Sequence, residues 1–145
     1  MKCLMILLVL LSAASAANAQ ADRKPATRFA VADVYIETQS PLAAYQVDVT
    51  AEGNGVKLVG IEGGEHPAFV EPPYYDPSAL QQQRVILAAF STSADLPTTR
   101  TRVARLHLQI EPNANLQLQA KSIVIANPEG RPIAAKVTVV EGVLP

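Results

Sequence analysis

The sequence predicts an all-β fold: a two-sheet antiparallel β-sandwich of jelly-roll or immunoglobulin-like type, with about eight to nine strands, after an N-terminal signal peptide. Three observations carry this. Apolar and polar residues alternate in several short runs, the period of two expected of strands with one buried face. Turn formers punctuate those runs, with eleven prolines and seven glycines in 145 residues, as short strands at close spacing require. Beyond residue 21 no window sustains the 3.6-residue period of an amphipathic helix.

Composition bounds the rest. A chain of this length has room for one domain with a real core. Its 49% hydrophobic and 17% charged residues describe a globular rather than a disordered chain. A net charge of −1 speaks against nucleic acid as a partner, since that grip needs clustered Lys and Arg.

Residues 1–21 read as a secretory leader: Lys2, an apolar run from Leu4 to about Leu11, then small residues. Cleavage is expected near Ala19 or Ala21, which places the product in the periplasm or outside the cell. The apolar run falls short of the roughly 20 residues of a spanning helix, so no membrane span is expected in the processed protein. Cys3, the single cysteine, leaves with the leader. The remainder then has no disulfide, no thiol nucleophile and no thiolate metal site.

The elements follow in order. Residues 22–28 are a charged lead-in, 29–142 the domain and 143–145 a tail. Phe29 to Thr38 is largely apolar on both faces, which suggests a strand buried on both sides or one that switches sheets. In the next run Ala43, Tyr45, Val47 and Val49 share one face, and Gln46, Asp48 and Thr50 the other. Gly53-Asn54-Gly55 is expected to make a tight antiparallel connection to Val56–Ile61, because glycine supplies positive φ. Residues 63–83 have no clear period; a connection that long is usually functional or disordered. Its prolines and aromatics suggest a stiff, packed excursion. Arg84 to Ser91 reads as a strand at the centre of the core. In Thr101 to Ile110, Ala104, Leu106, Leu108 and Ile110 face in, and Arg105, His107 and Gln109 face out. Arg102 falls nearer the inward side. Leu116 to Ala126 changes phase near Lys121, which implies a bulge or bend. Asn127-Pro128-Glu129-Gly130 is a turn, and Ile133 to Val140 a last strand.

Several of these pieces together resemble a known family. The run Pro41-Leu42-Ala43-Ala44-Tyr45-Gln46-Val47-Asp48-Val49, followed by Leu58-Val59-Gly60-Ile61, is similar to the early strands of cohesin domains. Val85 to Ala89, Val103 to Leu108 and the turn Asn127 to Gly130 resemble later pieces of the same domains, so the likeness runs from about Val31 to Gly142. It implies a jelly-roll sandwich of the kind shared with a group of carbohydrate-binding modules. It also implies recognition of a dockerin-like protein through one sheet face. The chain departs from the family in being short and in its proline-rich segment from Glu65 to Pro77.

Candidate chemistry is sparse. Glu65, His66, Glu71 and Asp76 lie in one loop, but a transition-metal site wants three converging ligands, usually with more than one His. Solvated charges with one locally hydrogen-bonded His are expected, without metal or cofactor. No calcium-loop spacing, Gly-x-Ser-x-Gly elbow or His–Asp pairing is visible. Paired carboxylates for glycoside hydrolysis depend on a spatial separation of about 5 to 9 Å, and a short sandwich leaves little wall for a cleft. A non-enzymatic protein is therefore expected. The candidate binding residues are Phe69, Tyr74 and Tyr75 in the long loop, with Arg105 and His107 on a strand face. Adjacent tyrosines seldom point the same way, so one exposed and one buried is a natural outcome. The expected partner is a protein or, alternatively, a polysaccharide on which Tyr74 and Tyr75 would stack; the absence of Trp weighs against the latter. A structural subunit of an envelope assembly is the third possibility.

Overall fold

Consecutive strands of this chain never share a sheet. The structure, a computed structural model, describes residues 26–144; the expected leader, most of the lead-in and Pro145 lie outside the described residues. Strands β1 (Arg28–Glu37), β2 (Ala44–Glu52), β3 (Val56–Gly63), β4 (Arg84–Phe90), β5 (Thr101–Ile110), β6 (Gln117–Ala126) and β7 (Lys136–Glu141) carry the fold. The odd-numbered strands form a four-stranded sheet in the order β3-β5-β1-β7, and the even-numbered ones a three-stranded sheet in the order β4-β2-β6. Every pairing is antiparallel. The two sheets pack as the β-sandwich that the alternation predicts. Seven strands form rather than eight or nine. The long stretch after β3 contributes two 3₁₀ turns, Pro67–Phe69 and Pro77–Ala79, and one isolated bridge instead of further strands.

The core lies between the inner faces, where Ala32, Val34, Ile36, Tyr45, Val47, Val49, Leu87, Leu106 and Leu108 are buried. Tyr45 brings a hydroxyl into this apolar layer. It donates to the Val103 carbonyl at 3.1 Å, which satisfies the buried group, and burial holds its pKa well above that of an ordinary phenol. β1 is buried on both faces from Ala30 to Val34, as its two-sided apolar pattern suggests.

The two sides of the sandwich are closed differently. Between β3 and β4 the long loop forms the wall. Leu58 exchanges backbone hydrogen bonds with Gln81 and Gln82 (2.7 and 2.8 Å), and Tyr74 with Ala88 (2.7 and 2.9 Å). The loop is thus packed, as its prolines imply. Between β6 and β7 the crossover covers one end only, through Ile133 N–H to the Ile125 carbonyl at 3.0 Å. The inward side chains Leu118, Ala120, Val137 and Val139 on that side are half-buried.

Four expectations need correction. Gly53-Asn54-Gly55 does make a tight turn, with Val56 N–H bonded to the Gly53 carbonyl at 3.1 Å and Gly55 at φ +75°. It is an arch between sheets, however, because β2 spends both its edges on β4 and β6. β4 is an edge strand, not the core centre: Val85 and Leu87 are buried, while Ile86 and Phe90 face solvent. Arg102 shares the outer face with Arg105, because Val103 is an extra residue in the ladder, between Val34↔Ala104 and Tyr35↔Arg102, and a bulge of one residue reverses the facing of what precedes it. The phase change near Lys121 is likewise a bulge, with Ile123 as the extra residue. The fourth correction concerns Phe69, which is 3% exposed. Its ring meets Tyr45 edge-on at 5.5 Å, so nearly all of its surface is spent on the core rather than exposed in the loop.

Candidate functional site

The remaining candidates divide between the outer faces of the two sheets. Arg105 and His107 lie on the four-stranded sheet, where both are already engaged. Arg105 makes a two-pronged pair with Asp33, Nε to Oδ1 at 2.7 Å and Nη2 to Oδ2 at 2.9 Å. That bond raises the guanidinium pKa further and locks its orientation. Arg102 approaches the same carboxylate at 3.6 Å, and its backbone N–H donates to Glu65 Oε1 at 2.9 Å. His107 Nε2 lies 2.8 Å from Glu62 Oε1, and Arg100 stacks 3.5 Å over the Tyr35 ring. Asp33, 5% exposed, organises this face. The single carboxylate in an otherwise apolar stretch was its only trace in the sequence.

His66 is a structural residue. Its Nδ1 accepts from Ala68 N–H at 3.2 Å, capping the first 3₁₀ turn, and Nε2 lies 3.9 Å from Asp95 Oδ2. Asp76 caps the second turn by accepting from Ser78 N–H at 2.9 Å, which lowers its pKa. Glu65, His66 and Asp76 therefore hold the loop's shape, and among the described residues no three His, Cys, Asp or Glu side chains gather as a metal would require. A depression of about 430 Å³ runs between Glu65–Pro67 and Asp95–Thr101, where Glu65, His66 and Arg100 are already engaged.

The three-stranded sheet presents a different surface. Tyr74 pairs with Ala88, Ala88 with Gln46, and Gln46 with Val124. Directly opposed residues point to the same side, so this row crosses the outer face from edge to edge. Phe90, Ala44 and Ala126 form the next row, and Ile86, Asp48 and Lys121 the row on the other side. Tyr74 and Phe90 are 73% and 69% exposed, and Ile86, Ile123 and Val124 are exposed as well. A depression of about 220 Å³ lies between Tyr74 and Phe90, floored by Phe69 and Ala89 and walled by Pro67, Pro72 and Glu71. At the far end Arg84 grips Asp48 through two bonds of 2.9 and 2.8 Å. The carboxyl is held below its usual range chiefly by that bond.

Of the two tyrosines, Tyr74 is exposed and Tyr75 is half-buried against the core. The structure brings Tyr74 beside Phe90 and Ile86, with Val124 on the same face at its opposite edge. Sequence reading gave no hint of this, because those residues sit in strands whose edge position depends on topology. Comparison with protein-family models, with curated proteins and with solved structures finds no match to this chain.

Proposed function

We propose that this protein is an exported, non-catalytic module that recognises a protein partner through the outer face of its three-stranded sheet. One observation carries the reading: Tyr74, Phe90 and Ile86 lie exposed together at one edge of a sheet face whose other edge exposes Val124 and Ile123. Exposed apolar side chains grouped on a surface mark interaction sites, and rigid aromatics among them contribute most to affinity. Burying a large apolar side chain is worth about 1.5–3 kcal/mol. The Arg84–Asp48 pair and Lys121 supply a polar rim that orients a partner. The leader-like residues 1–21 support export, and the resemblance to cohesin domains agrees with a recognition role.

The test is affinity capture from envelope and secretome extracts with the wild type, Tyr74→Ala and Phe90→Ala, with insoluble polysaccharide as a parallel bait. The expected result is a specific protein retained by the wild type and lost in both variants. Retention on polysaccharide alone would replace the protein reading by a carbohydrate one, with Tyr74 and Phe90 as stacking surfaces. Retention that neither variant changes would remove this face from the contact.

A further inference from the structure

Two open sheets leave four edge strands, here β3, β4, β6 and β7. An unpaired edge is a template for another backbone, and proteins blunt it with cover, bulges, proline or a lysine within the strand. Three of these edges are blunted. Gln81 and Gln82 bond to β3 at Leu58, and Tyr74 bonds to β4 at Ala88. β6 has a bulge at Ile123, Lys121 near its middle, and Ile133 bonded at Ile125. β7 has none of these devices. Its register with β1 is unbroken from Glu141 to Lys136, it contains neither proline nor glycine, and its one lysine opens the strand. Among the described residues no backbone group bonds across its outer edge.

The ladder shows which groups are free. Gly142 N–H donates to the Val31 carbonyl at 2.8 Å, which makes Ala32–Glu141 a non-bonded pair. Bonded and non-bonded pairs alternate along an antiparallel ladder. Lys136, Thr138 and Val140 therefore turn their N–H and C=O toward β1, and Val137, Val139 and Glu141 turn theirs outward. Val137 and Val139 oppose the buried Ile36 and Val34, so their side chains point into the half-open seam beside β6.

We propose that β7 pairs antiparallel with β7 of a second copy of this chain, across a two-fold axis at Thr138. A two-fold axis sets residue i of one copy against residue j of the other and j against i, so an axis at Thr138 places the two valines on either side of it opposite each other. In this register each Val137 faces the other copy's Val139, and each such pair exchanges both of its backbone hydrogen bonds. Their side chains extend the core across the axis and cover the seam. The two Thr138 side chains meet on the outer face, a favourable cross-strand pair. Lys136 of each copy lies toward the end of the other that carries Glu141, so no like charges meet. The four-stranded sheets then join into one continuous sheet. A second copy brings an equally uncovered edge with valines on the seam side and no like charge opposite, which is why it is the occupant proposed. The inference is independent of the apolar face on the other sheet.

Sedimentation of the protein, purified as the expressing cell processes it, tests the pairing. The wild type should be a dimer, and Thr138→Lys and Thr138→Asp should each weaken it at least tenfold by placing like charges at the axis. An equimolar mixture of the two variants should recover dimer, because Lys then faces Asp. Thr138→Cys should form a covalent dimer on oxidation, which checks the register in a fold with near-native side-chain volume. A wild type that stays monomeric up to about 1 mM, the weak end of specific association, overturns the proposal. So does a dimer that neither charge variant weakens, or a mixture that does not restore it.

Discussion

Replacing Phe69 by alanine should cost far more than replacing Tyr74, although both are aromatics of one proline-rich loop. Phe69 is 3% exposed and Tyr74 73%. Buried Phe→Ala changes cost about 3–5 kcal/mol, and the value depends on how far the site collapses. One wall of the Phe69 site is a loop that can settle inward, which favours the lower end, about 3 kcal/mol. That figure includes the edge-on contact with Tyr45 at 5.5 Å, worth about 0.5–1.5 kcal/mol beyond area. For a domain of this size the loss corresponds to a fall in Tm of roughly 10 °C. Tyr74→Ala should stay within about 0.5 kcal/mol, as surface changes do. Tyr75→Ala should fall between the two, since that ring packs half-buried against the core. Urea denaturation of the three variants measures this, with midpoints shifting at constant m-value. Equal costs for Phe69 and Tyr74, or a loss at Phe69 under about 1 kcal/mol, would refute the placement of the loop as a wall of the core.

Asp33→Ala should destabilise by about 2 kcal/mol, below the range for fully buried pairs because the Arg105 and Arg102 guanidiniums keep some water. Asp33→Asn, which retains an acceptor, should cost less, and denaturant midpoints compare the two. The Asp48 carboxyl is lowered by its bond to Arg84, so its contribution is present above the unfolded pKa and lost as pH falls through the folded one. The advantage of wild type over Asp48→Asn should therefore shrink as pH falls below the ordinary aspartate range, about 3.9; a gap that widens on acidification would contradict the pairing. Gly63→Ala should cost more than about 2 kcal/mol, since a Cβ there would run into the Val70 carbonyl. A thermal melt near that of wild type would show that this approach of loop to strand is loose.

Strand identity was legible in the sequence wherever one face is buried. The alternation in Tyr45-Gln46-Val47-Asp48-Val49 and in Leu106-His107-Leu108 already separates inside from outside, because a residue's facing in a strand depends only on parity. The same rule failed at Arg102, where one extra residue reverses the parity, and no local pattern marks that insertion. It also failed for β4. Val85 to Ala89 reads as central on hydrophobicity, yet which strand lies at an edge is set by the order of pairing.

The candidate site was legible only in part, for the same reason. The long loop drew attention to Phe69, Tyr74 and Tyr75, but burial assigned them to the core, the surface and the boundary between them. Phe90 and Ile86 flank Tyr74, and Val124 shares their face, only because segments distant in sequence were laid side by side. By itself, the sequence determined that this chain forms antiparallel strands around an apolar layer, since period and turn chemistry are local properties. Only the tertiary structure decided which strands share a sheet, which edge stays uncovered and which apolar residues remain outside, since those depend on pairings between residues far apart in the chain.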